Sequence, residues 1–296
     1  MQRPRLIARL VEHVFAPQPL VRLEVIRMFA PLAILGFMAA RIAHPDDWLS
    51  SAGFRLPALD DDWRQPASFP AISPTAATGV CIALVVSGIA VSLGAFTRWS
   101  SALFGLLLAY VALADRMSAF TVSKLAPMIA FVICMSPAGT RYSIDAWRHK
   151  DRVPIELCSG GPVRFFQILL PVFYMSSGIC KVRGDWLSHP LVLWTHVHDS
   201  YQTSVSWFAA NHVPPAGWTI MQITTLIFEC CAPLLFALRW TRRWALAYGV
   251  AMHGAIGMMF GPVAYFSMLM IVLLVASYAP VHWLAPSFGL RCSVRA

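Results

Sequence analysis

Charged residues are scarce in this 296-residue chain: Asp, Glu, Lys and Arg make up 12% of it, whereas 58% of its residues are hydrophobic. A soluble domain usually carries about 25% charged residues. So few charges cannot cover a surface that faces water. The composition therefore excludes an ordinary soluble domain and predicts that most surface side chains face lipid.

The sequence also lacks the motifs of several enzyme classes. It contains no phosphate-binding loop, no G-x-S-x-G nucleophile turn, no H-E-x-x-H zinc motif and no Ser-His-Asp order. These absences argue against a hydrolase or a nucleotide-dependent enzyme. The formal net charge is +9, but the basic residues lie in short clusters between apolar runs. Because that pattern sets the orientation of membrane proteins, we expect no nucleic-acid partner.

Cysteine is present but is not arranged for a disulfide framework or a zinc site. The chain has 7 cysteines, an odd number; none forms a C-x-x-C pair, and most lie inside apolar runs. We expect them to be buried as small apolar side chains. Internal repeats, low-complexity tracts and heptads are also missing.

Long apolar runs dominate what is present. A membrane-spanning helix needs about 20 mostly apolar residues. The sequence predicts eight such helices, at Val21–Ile42, Thr75–Phe96, Trp99–Ala114, Val122–Met135, Pro162–Lys181, Gly217–Leu238, Trp244–Phe260 and Val263–Trp283. The third and fourth are short, so a re-entrant pair is an alternative for them. The predicted fold class is all-α, a polytopic transmembrane helical bundle of about eight spanning helices.

Basic clusters between these runs predict the orientation of the chain. The positive-inside rule places Arg98, the 141–152 segment, the 239–243 segment and both termini in the cytoplasm. This agrees with an even number of spans. Without a signal peptide at the N-terminus, the pattern favours a bacterial inner membrane.

Three segments follow from this assignment. Residues 1–20 mix basic and apolar side chains at helical spacing, which predicts an amphipathic helix on the membrane surface, with a loose helical turn as the alternative. Residues 21–285 form the membrane domain, and residues 286–296 form a cytoplasmic tail.

Three ionisable residues lie inside or at the end of apolar runs: Lys181, Glu229 and His253. Charged groups cost several kcal/mol in hydrocarbon unless they are paired or hydrated. Lys181 either extends its ammonium to the headgroups or has a lowered pKa that makes its neutral amine a usable base. Glu229 is too deep for such an extension, so it must be protonated, paired or next to a polar cavity.

His253 alone is typical of a histidine that makes an interhelical hydrogen bond. Because the three residues come from three different spans, we expect them to converge on one cavity as candidate catalytic residues. Glu24 and Arg27 share a face of the first span at i,i+3, and we expect an ion pair within that helix.

Several histidines lie in the connection between residues 182 and 215. The sequence His196-Val-His198-Asp199 resembles a metal-binding arrangement. Aromatic residues and histidines are also common where a chain meets the membrane interface. We expect no metal here.

An ordered set of short motifs resembles a known family. The motifs are Leu23-Glu-Val-Ile-Arg27, Ser143-Ile-Asp145, Tyr174…Gly178-Ile-Cys-Lys181-Val-Arg-Gly-Asp185-Trp186, Glu229, and His253 followed by Phe260 and Tyr265-Phe266. Together they resemble the HTTM (horizontally transferred transmembrane) family, which is similar to the membrane domain of vitamin K-dependent γ-glutamyl carboxylase. The resemblance covers roughly residues 20 to 285.

This resemblance implies a helical bundle whose site opens to the outer side of the membrane. In the carboxylase, the lysine that matches Lys181 deprotonates a reduced quinone, which then reacts with oxygen. Lys181 is therefore the expected base, with a reduced quinone of the menaquinol or vitamin K type as the implied cofactor. Glu229 and His253 are expected around the cavity, and Trp186 at the helix end. A histidine of the family pattern is missing at the start of the fourth span, where Lys124 and its neighbours stand.

Three functions are compatible with the sequence. The first is a quinol-dependent membrane enzyme, carboxylase-like or oxidoreductase-like. The second is a non-catalytic helper that binds a peptide or a partner membrane protein, as SdpB-like relatives do in the maturation or export of a secreted peptide. The carboxylase's lumenal part, which holds its substrate peptide, has no counterpart here, and this favours the helper. The third, a transporter, normally shows repeated halves, which the sequence lacks.

Overall fold

The computed structural model describes residues 3–54, 70–115, 120–149, 155–198 and 202–284. Most of this backbone is helical. The helices are α1 (Arg3–Phe15), α2 (Val21–Ala43), α3 (Asp46–Leu49), α4 (Pro74–Leu93), α5 (Thr97–Ala114), α6 (Thr121–Met135), α7 (Ile144–Arg148), α8 (Gly161–Arg183), α9 (Val192–His196), α10 (Ser204–His212), α11 (Pro215–Ala237), α12 (Arg242–Met259), α13 (Ala264–Tyr278) and α14 (Val281–Leu284).

Two compact units divide the chain. One unit comprises Leu23–Cys158, and the other comprises Met1–Arg22 together with Ser159–Ala296. In the first unit α5 packs against α4 and α6, and a two-residue strand, β2 (Leu157–Cys158), lies at its end. In the second, α8 packs against α11 and α12 packs against α13. The strand β1 (Gln18–Pro19) also belongs to the second unit.

A helix forms at each of the eight predicted spans. Within the described residues, five helices are long and apolar enough to cross a membrane: α2, α4, α5, α8 and α11. The apolar helices α6 and α13 are shorter, with 15 residues each, and α12 starts with two arginines. The membrane-spanning character is therefore confirmed, while the count of eight spans and the cytoplasmic termini stay predictions.

Local sequence signals explain where the best-defined span begins and ends. Ser73 caps the start of α4 by accepting a hydrogen bond from the Ala76 N–H at 3.3 Å, and Pro74 occupies the first turn. At the other end Gly94 adopts a left-handed conformation, with φ at 69°. This conformation is favourable for glycine because it has no Cβ.

The turn between α4 and α5 is held by Arg27, which the sequence interpretation paired with Glu24, and by Asp145, to which it assigned no role. The Arg27 guanidinium donates to the Val91 and Ser92 carbonyls at the end of α4, at 3.1 and 2.7 Å. The Asp145 carboxylate accepts from the backbone N–H of Phe96 and Thr97 at the start of α5, at 2.8 and 2.7 Å. Arginine at a helix C-terminus and aspartate at an N-terminus complement the helix dipole.

Glu24 and Arg27 do not form the hydrogen-bonded ion pair expected within α2. Arg27 uses its guanidinium on Val91, Ser92 and, at 2.6 Å, the Tyr142 carbonyl. Both Glu24 carboxylate oxygens are buried and have no hydrogen-bond partner among the described residues. The prediction was wrong because the Arg27 guanidinium donates to backbone carbonyls instead, two of which lie at the end of α4 and lack a partner within that helix.

Arginines also cap two helices of the second unit. Arg22 donates to the Ala276 and Ala279 carbonyls at the end of α13, at 2.7 and 2.9 Å. Arg242 donates to the Phe236 and Ala237 carbonyls at the end of α11, at 2.9 and 3.1 Å. The last carbonyls of both helices therefore have side-chain partners.

The last predicted span ends earlier than expected. Helix α13 stops at Tyr278, and Pro280 separates it from the short helix α14. The sequence interpretation ran the span to Trp283 because the residues stay apolar. Proline disfavours helix at the residue before it, which explains the break.

Helix α1 carries exposed apolar side chains along one face. Ile7, Val11 and Phe15 are 63%, 49% and 57% exposed, and their spacing of four residues places them on one stripe. Glu12 and His13 are also exposed. The helix itself is confirmed in place of the looser alternative, and its location on the membrane surface stays a prediction.

Candidate functional site

Lys181 and Glu229 form an ion pair between α8 and α11. The Lys181 Nζ lies 2.5 Å from both Glu229 carboxylate oxygens, and it donates to Ser177 Oγ at 3.2 Å. An ammonium and a carboxylate in apolar surroundings each cost less when they are paired and hydrogen-bonded. Of the three arrangements that the sequence allowed for Glu229, pairing is the one observed, while both explanations for Lys181 stay predictions.

Gly178 allows the two helices to approach closely enough for this contact. A Cβ added at Gly178 would lie 2.8 Å from the Cys230 backbone nitrogen and from its Sγ. Any larger residue would therefore force α8 and α11 apart. Small residues at such crossings are typical of helices packed in membranes.

The two members of the pair differ in exposure. The Glu229 side chain is 8% exposed and the Lys181 side chain is 23% exposed. The carboxylate is thus the more deeply buried of the two, and the lysine is partly exposed. The Trp186 ring lies over the Lys181 Nζ, with 4.9 Å between the nitrogen and the ring centroid. An ammonium over an indole face is a favourable cation–π contact.

His253 pairs with Tyr174 of α8 instead of with the lysine or the glutamate. The Tyr174 hydroxyl lies 2.7 Å from His253 Nε2, and the two residues are 4% and 2% exposed. The rings of Phe228 and Phe266 contact this pair edge-on. The second ring nitrogen, Nδ1, is buried and has no hydrogen-bond partner within the described part of the chain.

The two pairs lie about two turns apart on α8. Tyr174, Ser177 and Lys181 share one face at i, i+3 and i+7, so the pairs are separated by roughly 10 Å along the helix. Lys181 still acts electrostatically on His253, and Glu229 acts on Tyr174. The structure thus brings Lys181 and Glu229 into contact, and it places His253 nearby with a different partner.

Gln222 is a polar residue of this region that the sequence interpretation missed. It lies on α11 seven residues before Glu229, is 1% exposed, and hydrogen-bonds the backbone of the loop that carries Trp186. The signal was present, because a lone amide in an apolar helix needs partners just as a charge does.

Three histidines of the connection between residues 182 and 215 bond locally. His196, His198 and His212 each have Nδ1 within 2.7 to 2.8 Å of the carbonyl four residues earlier. Asp199, the third candidate ligand of the metal-like sequence, lies outside the described residues. Within residues 3–54, 70–115, 120–149, 155–198 and 202–284, no three His, Cys, Asp or Glu side chains are grouped as a metal site would require.

A pocket lies beside this connection. Its volume is about 360 Å³, and it is lined by Leu191, Trp194, Ala210, Asn211, His212, Val213, Pro214, Pro215 and Trp218. Trp218 is fully buried and forms part of an apolar cluster with Val197 and Ala209. The size lies at the small end of the range for small-molecule and side-chain pockets.

Comparison with known proteins gives one match. The family model of the HTTM domain matches residues 18–283, a range that includes all of the unit Leu23–Cys158, most of the other unit and every residue of the two pairs. No curated protein and no solved structure matches the chain.

Proposed function

The chain belongs to the HTTM domain family, and from this premise we propose that it is a membrane enzyme in which Lys181 and Glu229 move a proton to and from a reduced quinone. The integral membrane character rests on the apolar helices and on the family. The observation that carries the proposal is the ion pair itself: a buried carboxylate and a half-buried amine in direct contact between two apolar helices.

The proton transfer needs only these two side chains. The Lys181 ammonium gives a proton to a Glu229 oxygen, which leaves a neutral amine beside a neutral carboxylic acid. Low polarity favours this exchange, because it removes two buried charges at once. The neutral amine is then a general base at Nζ, which belongs to the more exposed member of the pair.

A flat, apolar ring that carries an acidic hydroxyl would stack on the Trp186 indole, which lies beside the Lys181 Nζ. A bound reduced quinone would supply that hydroxyl and the electrons for oxygen chemistry. Lys181 would take up the hydroxyl proton, and the Trp186 indole would hold the ring. We assign His253 the role of orienting the Tyr174 hydroxyl and accepting its hydrogen bond. Tyr174 lies about two turns before Lys181 on α8.

Loss of quinol oxidation in a lysine variant tests this function. Membrane vesicles containing Lys181→Ala should consume no oxygen with a reduced short-chain menaquinol analogue, while the protein stays inserted. The matched control is Lys124→Ala, because Lys124 is exposed at the start of α6. Unchanged turnover in Lys181→Ala would remove the proposal.

The outer pocket favours a second candidate function, a non-catalytic helper for maturation or export of a secreted peptide. Its walls, which include Trp194, Trp218 and two prolines, suit an apolar peptide side chain. A partner protein that co-purifies with the chain, is lost when residues 190–212 are deleted and is kept in Lys181→Ala would support this function over the enzyme.

We further propose that the chain crosses a bacterial inner membrane eight times with both termini in the cytoplasm. The support is the alternation of basic clusters with the eight helices. In this orientation the Lys181 end of α8 and the loop that follows it face outward.

A further inference from the structure

Gln222 ties one helix of the site to the loop that covers it. Its amide nitrogen donates to the Trp186 carbonyl at 2.7 Å and to the His189 carbonyl at 2.8 Å. Its amide oxygen accepts from the Leu193 N–H at 3.1 Å. Both ends of the amide are therefore used, and the residue is 1% exposed.

The loop held in this way places an aromatic ring on the reactive amine. Trp186 is three residues after the end of α8, and its ring centroid lies 4.9 Å from the Lys181 Nζ. The same helix, α11, provides Gln222 and, two turns later, Glu229. Helix α11 thus carries both Glu229, which pairs with Lys181, and Gln222, which holds the backbone of Trp186.

We propose that Gln222 is a positioning residue that holds Trp186 over Lys181 and limits the access of water to the Lys181–Glu229 pair until substrate enters. The inference rests on the proposed function of that pair. Entry requires the segment between Trp186 and Leu193 to move, and the three Gln222 hydrogen bonds set how often it does so. Limiting the access of water keeps the proton exchange between lysine and glutamate in surroundings of low polarity, where it is most favourable.

A second side chain of α11 bonds the same loop without holding the Trp186 backbone, so the effect of Gln222 on Trp186 can be separated from attachment of the loop in general. Thr219, one turn earlier on α11, also bonds the loop, through its hydroxyl to the Pro190 carbonyl at 3.1 Å. Pro190 lies beyond Trp186 in the chain and does not fix the indole. The chain therefore offers a matched comparison: two hydrogen-bonding side chains on one helix, of which one holds the backbone of Trp186.

Acylation by a small, water-soluble, amine-reactive compound measures how accessible the Lys181 amine is beneath Trp186. The measurement needs no knowledge of the substrate. The lysines of the chain are Lys124, Lys150 and Lys181, so mass spectrometry of their peptides gives the labelling rate of each. In the purified full-length protein, Gln222→Leu should speed labelling of Lys181 by about fivefold, as expected for losing roughly one net hydrogen bond from the closed state. Labelling of Lys124 should not change, and Thr219→Val should leave Lys181 labelling at the wild-type rate.

A double variant separates positioning from a loss of structure. In Trp186→Ala the lysine is already uncovered, so adding Gln222→Leu should give no further acceleration. Equal rates in Gln222→Leu and Thr219→Val, no acceleration in Gln222→Leu, or an undiminished acceleration on the Trp186→Ala background would each overturn the proposal. Failure of the enzymatic function shows in the Lys181→Ala turnover assay and leaves these labelling rates unaffected, so the two failures are distinguishable.

Discussion

Lys181 and Glu229 are unequal partners, because the carboxylate is the more deeply buried of the two. Lys181→Met leaves Glu229 as a buried charge without a counter-charge, a change that typically costs about 3 kcal/mol. Glu229→Gln leaves an ammonium that is partly hydrated and still has an amide oxygen to bond. We therefore expect Lys181→Met to be the more destabilising in unfolding titrations in mixed detergent micelles. Equal losses, or the reverse order, would show that the pair is not buried as described.

Gly178 is the second residue at which a small change should have a measurable effect. A methyl group there would lie 2.8 Å from the Cys230 backbone, so Gly178→Ala should cost about 1–3 kcal/mol by overpacking the crossing of α8 and α11. The control is Gly254→Ala on α12, where no atom lies within 4 Å of the new Cβ. That variant should be neutral or slightly more stable, because alanine is the better helix former. Thermal unfolding of the two purified variants makes the comparison.

The sequence identified Lys181, Glu229 and His253 as candidate residues of the site, but it did not predict which side chains contact each other. The depth of Glu229 in an apolar run indicates that it needs a partner, and its spacing from other residues does not say which one. Lys181 turned out to be that partner, whereas His253 bonds Tyr174, whose hydroxyl gave no signal of its own. Rotation of each helix about its axis decides these contacts, and the apolar surroundings on all sides of a membrane helix hide that rotation.

At the scale of elements, the start of α5 depends on a carboxylate from outside the helix. Asp145 accepts from Phe96 and Thr97 N–H and, at 2.8 Å, from the Thr97 hydroxyl. Asp145→Asn should therefore cost about 1–2 kcal/mol of unfolding free energy at pH 7. Asp46→Asn is the matched control, because Asp46 is exposed and lies in the first turn of the short helix α3. A similar loss in both variants would contradict the capping role.

The same cap predicts a pH dependence. Burial alone raises the pKa of Asp145, but the hydrogen bonds from Thr97 and Phe96 and the nearby Arg148 lower it below its ordinary value of 3.8. A lowered pKa means that the stabilisation is complete above that ordinary value and is lost as the pH falls through the lowered one. The stability difference between wild type and Asp145→Asn should stay constant from pH 7 to about pH 5 and shrink below about pH 4. Unfolding measured across this range tests the sign.

Helix positions followed from the sequence more closely than helix ends and loops did. Each predicted span contains a helix because a long apolar run has few alternatives to helix in lipid. The break before Pro280 and the short helices α9 and α10 were not predicted. Helix α10 does carry a local signal, a capping box in which Thr203 and Ser206 bond each other's backbone. Such short-range signals compete with the stronger hydropathy pattern and are easily overlooked.

The orientation of the whole chain is open to direct measurement. In a variant without native cysteines, His149→Cys, after α7, should react with a membrane-impermeant maleimide only after the cells are opened. Ser188→Cys, in the loop after α8, should react with the same maleimide in intact cells whose outer membrane has been permeabilised. These expectations follow from the placement of basic clusters. Labelling of both positions from the same side would exclude the eight-span arrangement.

The arginines that end α4, α11 and α13 connect two stages in the life of the protein. We expect their charge to contribute to the orientation of the chain during insertion, and after folding their guanidinium groups bond two or more carbonyls each. A lysine would keep the first property and lose much of the second, because a single ammonium lacks the planar set of donors. Lysine variants at these positions should therefore insert with the correct topology and then be cleared by proteolysis, which separates errors of folding from errors of targeting.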